Sequence, residues 1–287
     1  MRARRFKTQA DIERSISQGF GQGEGAAYQP WWRVQDLPSR GRSRKVQGVK
    51  IDRIHHVLSD LEYQYLILLE FSERVIDIRE QYPLFPTEQA QRIAVELGIY
   101  YPRFHSTSLL YVMTTDFLVT YLDESGQPKF AARTLKYDAE LADAEPAKLK
   151  RTLEKFELEK AILAAQGITD WGIVTPSVIG DTLARNLQWV RSGAKLDRQF
   201  LRTDTLARFL DCLELSFHHE RVLSSLIRAA ASNMHVAYAD GVNIFKYLIW
   251  CKAIQLDLAT TELQLSKPCP SLRFAGLRDN TALLKAA

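Results

Sequence analysis

Glu62, Asp116 and Lys136 are side chains of the kinds that cleave phosphodiesters when a fold brings them together. Glu62 follows Ser59-Asp60-Leu61 at an expected helix start, Asp116 opens the apolar run 116–122, and Lys136 closes the run 130–136. Two carboxylates are hard oxygen ligands for a divalent cation, and an ammonium can offset charge gathering on a phosphate. Plainer readings of the same residues stand beside this one. Ser59-Asp60-Leu61-Glu62 is also a capping box, in which Glu62 satisfies a backbone N–H at a helix N-terminus. Asp116 can be a strand-start turn residue, and Lys136 a solvated strand end.

Positioning depends on a hairpin. Asp123-Glu-Ser-Gly-Gln127 separates the two apolar runs as a turn. Centring it near Ser125 gives antiparallel strands in which facing residue numbers sum to about 250. Asp116 then faces Thr134, and Lys136 lies two residues further along the same face. A slip of one residue would send Lys136 to the other face. Phe117, Val119 and Tyr121 on one side and Leu118 on the other predict an interior hairpin covered by helices. An aspartate at the mouth of such a strand requires a counter-charge or a cation.

The text around these residues is distinctive. His55-His56-Val-Leu-Ser59-Asp60-Leu-Glu62, Val75-Ile-Asp77-Ile-Arg79-Glu80-Gln81-Tyr82-Pro83-Leu84 and Thr115-Asp116-Phe117-Leu118-Val119 resemble TnsA, the endonuclease subunit of heteromeric cut-and-paste transposons. Gly21-Gln22-Gly23-Glu24-Gly25, Tyr28-Gln29-Pro30-Trp31, Ser39-Arg40-Gly41-Arg42-Ser43 and Arg151-Thr-Leu-Glu154-Lys155-Phe-Glu157-Leu158-Glu159 extend the likeness from about Gly21 to Trp189. The resemblance implies an amino-terminal part like a type II restriction endonuclease that cuts transposon 5′ ends. It also implies a DDE transposase (TnsB-like) that cuts the 3′ ends, and a regulatory AAA+ ATPase (TnsC-like) engaged by the C-terminal part. By position, the family's catalytic glutamate, aspartate and lysine fall on Glu62, Asp116 and Lys136. One departure stands at Thr134, where this nuclease class carries Glu, Asp or Gln; a neutral hydroxyl is a poorer ligand, and a second metal is in doubt.

Mg²⁺ suits this donor set, with Mn²⁺ as its substitute: one or two carboxylates, waters and a substrate phosphate. Glu62 and Asp116 are the expected ligands, with the backbone carbonyl of Leu135 as an additional oxygen and Thr134 as a further candidate. Electrostatic work, rather than general-base work, is expected of Lys136.

The chain has 287 residues, 46% of them hydrophobic, and a formal net charge of +4, which permits DNA binding without demanding it. No apolar run approaches the roughly 20 residues of a membrane span, and Met1–Lys7 is basic without the apolar stretch of a secretory signal. Cys212, Cys251 and Cys269 lack metal or disulfide spacing, which points to a reducing cytoplasm. His55-His56 and His218-His219 are neighbours that cannot simply chelate one ion, because adjacent residues diverge on helix and strand alike. Arg40, Arg42, Arg44, Lys45, Lys50 and Arg53 crowd one Ser/Gly-rich segment and are candidate contacts to a DNA backbone. A solvated basic loop is the alternative. Trp31 and Trp32 read as packing residues.

Alternating helical and extended patterns over residues 1–174 predict an α/β unit, a mixed sheet flanked by helices. Glu154, Glu157 and Glu159 are expected on a solvated, salt-bridged helix face. Helical patterns dominate residues 175–266, and alternating segments 253–258 and 261–265 could form a wing, giving a winged-helix-like domain. Its helix near 243–254 is too apolar to read bases and better suited to protein contact. Residues 267–287, with Pro268 and Pro270, read as a flexible tail that orders on a partner. Three functions remain: a Mg²⁺-dependent transposon-end endonuclease, a DNA-binding or assembly subunit with a decayed site, and a stand-alone restriction or repair nuclease.

Overall fold

The computed structural model describes residues 4–37 and 42–277. The chain divides into two compact units, one ending at Val178 and the next beginning at Ile179. In chain order the first holds α1 (Gln9–Ser17), β1 (Arg44–Gln47), β2 (Ile54–Val57), α2 (Asp60–Phe71), β3 (Val75–Pro83), α3 (Thr87–Glu96), β4 (Thr114–Leu122), β5 (Pro128–Leu135), α4 (Asp138–Ala142), α5 (Pro146–Ala165) and β6 (Asp170–Val174). A short helix, α6 (Pro176–Ile179), follows at the junction.

The central sheet has four strands in the order β3-β4-β5-β6, with β3, β4 and β5 antiparallel and β6 parallel to β5. This mixed sheet with flanking helices is the α/β architecture predicted from the patterns. Its hairpin turns at Asp123, whose carboxylate accepts the N–H groups of Ser125 and Gln127 at 2.9 Å each. Gly126 takes the left-handed conformation (φ 78°) that closes the turn. The pairs run from Leu122↔Pro128 to Phe117↔Arg133, so facing numbers sum to 250 throughout, as predicted.

Both faces of the hairpin are covered. Phe117 meets Tyr65 of α2 edge-on at 5.4 Å, while Leu118 and Ala132 join Leu158, Ile162 and Leu163 of α5 in one apolar cluster. A fully buried Phe or Leu contributes about 1.5–3 kcal/mol, so these layers hold the hairpin ends, and whatever polar groups sit there, in one place.

The outer edge of β3 is not left free. Trp31 donates its backbone N–H to the Gln81 carbonyl at 3.2 Å, and the Arg53 guanidinium donates to the Ile78 carbonyl at 2.7 Å. Trp31 and Trp32 are buried with Phe6 and Phe20 in an aromatic cluster, as expected of packing residues.

The second unit contains α7 (Asp181–Arg191), α8 (Thr203–Ser216), α9 (Leu223–Asn233) and α10 (Tyr238–Trp250), then the short strands β7 (Ile254–Gln255) and β8 (Arg273–Phe274). The helices match the expected pattern, but the wing does not form as anticipated. β7 pairs with β8, not with residues 261–265. The physical reason is Asn186 of α7, which is buried. Its amide donates to the carbonyls of Leu258 and Thr261 at 2.8 Å each and accepts the N–H of Leu263 at 2.8 Å. Those backbone groups are thereby satisfied without a strand partner.

The tail expectation is corrected too for residues 267–277. Leu223 N–H donates to the Lys267 carbonyl, Cys269 is buried with its N–H on the Arg221 carbonyl, and β8 lies within this stretch. α10 is a core helix whose Ile244, Phe245, Leu248 and Ile249 are fully buried, so it offers no recognition face through those residues. Among the described residues no helix is long and apolar enough to cross a membrane.

Candidate active site

At the open end of the β4–β5 hairpin the strands deliver Asp116 beside Leu135 and Lys136. The Leu135 backbone N–H donates to Asp116 Oδ2 at 2.7 Å. The N–H and C=O of a strand residue point toward the same neighbouring strand, so the Leu135 carbonyl is turned to the Asp116 side as well. Asp116 Oδ1 accepts a long bond from the Gln81 amide at 3.4 Å. Gln81 holds a left-handed backbone (φ 49°), uncommon for a non-glycine residue and frequent where a site demands it. No feature of the sequence marked it.

Glu62 arrives from α2. Ser59 Oγ accepts the Glu62 N–H at 3.1 Å, and the Glu62 carboxylate accepts the Leu58 N–H at 2.8 Å. The cap reading of Glu62 is therefore realised. It does not exclude the other, because the same carboxylate is 7% exposed and feels the charge of Asp116. Burial, then Asp116, pushes Glu62 up to about 8. Burial likewise raises Asp116, against the Leu135 hydrogen bond and the Lys136 charge.

Lys136 is half-buried just beyond β5, fastened by its N–H to the Val174 carbonyl at 3.0 Å, with Glu140 at 3.9 Å. Asp116, Thr134, Lys136 and Glu159 line one cleft of about 510 Å³. The structure thus brings Asp116 and Lys136 to one cleft, while Glu62 is not among the residues that line it and meets Asp116 through charge repulsion.

Glu159 was expected on a solvated face and is instead 5% exposed. Its carboxylate accepts the Thr134 hydroxyl and the Trp171 indole N–H, the latter at 3.1 Å. Burial raises it to about 7, with the charge of Asp116 adding to the shift. Glu159 occupies a buried helical stripe with Phe156, Ile162 and Leu163, and a glutamate at a stripe position was the signal that could have found it. Its neighbours behave as predicted: Glu154 pairs with Arg151 at 3.1 Å and Glu157 is exposed. The hydroxyl of Thr134 is committed to Glu159 rather than held free.

The expected DNA-contact residues separate. Arg40 lies outside the described residues, and Arg42 and Lys45 are exposed. Arg44 ion-pairs with Asp60 and stacks over Tyr63, and Lys50 is half-buried near Glu70 and Glu73, where burial lowers its ammonium. Arg53 is a correction. It is 8% exposed and grips Glu80 bidentately at 2.8 and 2.6 Å, so it faces no solvent where a phosphate could reach it. His55 and the His56 N–H also bond to Glu80, each at 2.9 Å. Burial alone would raise Glu80; the Arg53 and His55 contacts reverse this and hold it well below the usual carboxylate range. The side chain of His56 instead accepts the Val34 N–H, and burial lowers it to about 4. Both histidines are structural.

Whether a divalent cation fits can be judged from the donor set. Glu62 and Asp116 are hard oxygen donors whose burial and mutual repulsion favour a proton or a cation between them. Among the described residues no group of three His, Cys, Asp or Glu side chains is arranged to hold an ion. The remaining oxygens would thus come from the Leu135 carbonyl and water, as suits Mg²⁺ better than a cage-seeking metal. The residues fit.

A pH dependence follows. Glu62 and Glu159 bind protons more tightly folded than unfolded, so their contribution to stability is full below about pH 4.3 and is lost as pH rises through about 7 and 8. His56, depressed by burial, and Glu80 have already contributed fully by about pH 7. Calorimetry of the metal-free chain between about pH 6.5 and 8.5 should show a falling melting temperature. Glu62→Gln and Glu159→Gln should flatten the decline, and a flat profile in the parent would refute the repulsive cluster.

Residues 72–176 match the family model described as TnsA-like endonuclease N terminal, and residues 179–258 match TnsA endonuclease C terminal. Asp116, Lys136 and Glu159 fall inside the first match, and Glu62 precedes it. The Escherichia coli protein named Transposon Tn7 transposition protein TnsA is 40% identical over 185 residues, which are 64% of this chain and 63% of that relative. The alignment therefore spans a little under two thirds of the relative's length. Two successive domain matches in the right order, with a 40% identical relative, settle the affiliation: the chain belongs to the TnsA family.

Proposed function

We propose that this chain is a Mg²⁺-dependent DNA endonuclease with a restriction-endonuclease-like fold that cuts the 5′ ends of a transposon, working with a DDE transposase and a regulatory ATPase. The observation that carries the reading is the placement of Asp116 against the Leu135 N–H, with Lys136 lining the same cleft and the charge of Asp116 felt at the buried Glu62. Asp116 and Glu62 would hold the cation with the Leu135 carbonyl, and Mn²⁺ would serve in place of Mg²⁺. When bound, the metal supplies positive charge at the scissile phosphate and an acidified water.

The chain's own residues do the rest. The Leu135 N–H fixes one oxygen of Asp116, so the other carboxylate edge has a set direction. Lys136 offsets the charge that builds on the phosphate as the water attacks. Glu159 holds Thr134, and through it the floor of the cleft. The survival of all three charged residues favours an active enzyme over a decayed subunit. Side chains built to read base edges are missing from this reading, and phosphate contacts alone do not choose a sequence, so partners would supply the address. The C-terminal unit is assigned to contact with the ATPase, through surfaces other than the buried apolar face of α10.

The purified chain, mixed with its transposase, its ATPase, transposon-end DNA and Mg²⁺, should yield DNA cut at both strands of each end. Chelation should remove the cuts and Mn²⁺ should restore them. Cutting that persists in chelator would defeat the metal assignment, and 5′ ends left intact under all conditions would defeat the nuclease itself.

A further inference from the structure

The cleft beside Asp116 has a wall that the catalytic residues do not account for. Along α5, Thr152, Lys155, Phe156 and Glu159 all line it, at the spacing that stacks side chains on one helix face. Exposure grades along this face, from buried Glu159 and Phe156 to exposed Lys155. Arg103, also exposed, lines the same cleft.

Lys155 differs from Arg151 and Lys136, the basic residues whose charges it feels. Arg151 is paired with Glu154, and Lys136 has Glu140 at 3.9 Å. Lys155 has no ion-pair partner among the described residues. Burial and the like charges of Arg151 and Lys136 all disfavour its ammonium, which is lowered. An anion placed between Lys136 and Lys155 would relieve that repulsion.

We propose that Lys155 binds a backbone phosphate of duplex DNA next to the scissile one and so positions the strand in the cleft. The inference rests on the nuclease reading of the cleft and adds a contact to it. Lys155 stands one helical turn, about 6 Å, along α5 from Glu159. Asp116, Lys136, Lys155 and Glu159 line the same cleft, so a strand with its reacting phosphate at Asp116 would run past Lys155. Arg53 is buried and Arg44 is paired, so the face of α5 joins the exposed Arg42 and Lys45 as a place where a DNA backbone can be held. Lys155 is a positioning residue, since it holds the strand and not the reacting atoms.

Fluorescence anisotropy of the full-length protein on a labelled duplex of arbitrary sequence, in chelator, tests this without any cutting. Lys155→Gln should weaken binding about tenfold at low salt and make the slope of log affinity against log salt shallower by about 0.9. Lys155→Arg should restore both. Lys155 is exposed, so an unchanged melting temperature should accompany the effect. A Lys155→Gln protein with the parental slope, or a parent that binds no duplex, would overturn the proposal. The assay reads binding alone. A chain showing the Lys155-dependent slope but never cutting transposon ends would sink the endonuclease reading and leave this contact standing, and the converse result would separate them the other way.

Discussion

Asp116→Ala is expected to abolish 5′-end cutting, by roughly a thousandfold or more, while 3′ cutting by the partner transposase continues. The element should remain joined to donor DNA through its 5′ ends, which a strand-specific gel resolves. The size of the effect follows from the position of Asp116. It is where the Leu135 N–H, the Lys136 charge and the repulsion from Glu62 meet. Folding should survive, because losing this half-buried carboxylate leaves one backbone N–H unpaired, a cost of about 1–3 kcal/mol. Full release of the element by Asp116→Ala would show that the cleft is not the site of cutting.

Glu80→Gln should have its large effect on stability instead. The change leaves the Arg53 guanidinium buried without its counter-charge, and breaking such a pair costs about 3–5 kcal/mol. Denaturant unfolding should show the loss at neutral pH, where Glu80 contributes fully because its carboxyl is held so low. Arg53→Gln should lose stability similarly. Were Arg53 a phosphate contact, the same substitution would weaken DNA binding and leave the unfolding midpoint unmoved, so the two measurements together decide its role.

The two predictions differ in how far each could be anticipated. The Asp116 cleft rests on short-range rules. A turn at Asp123–Gly126 and two apolar runs determine a register, and the register places Asp116 beside Leu135. The Ser59 cap likewise places Glu62 at the start of α2. Glu80 and Arg53 are 27 residues apart and meet only because the segment before β2 lies along the outer edge of β3. Nothing local distinguishes Arg53 from the exposed Arg42 before it.

Turn chemistry and the period of apolar residues were enough to settle the sheet-and-helix class and the hairpin register, which depend on contacts close in sequence, whereas Glu62, Asp116 and Lys136 were singled out by the family resemblance and not by spacing. Burial of charge was decided by the fold. Whether Arg53, Glu80 and Glu159 face water depends on which surfaces pack over them, and the strand pairing of β7 depends on Asn186 many residues away. Those outcomes turn on desolvation and on distant partners, and both exist only once the chain has closed on itself.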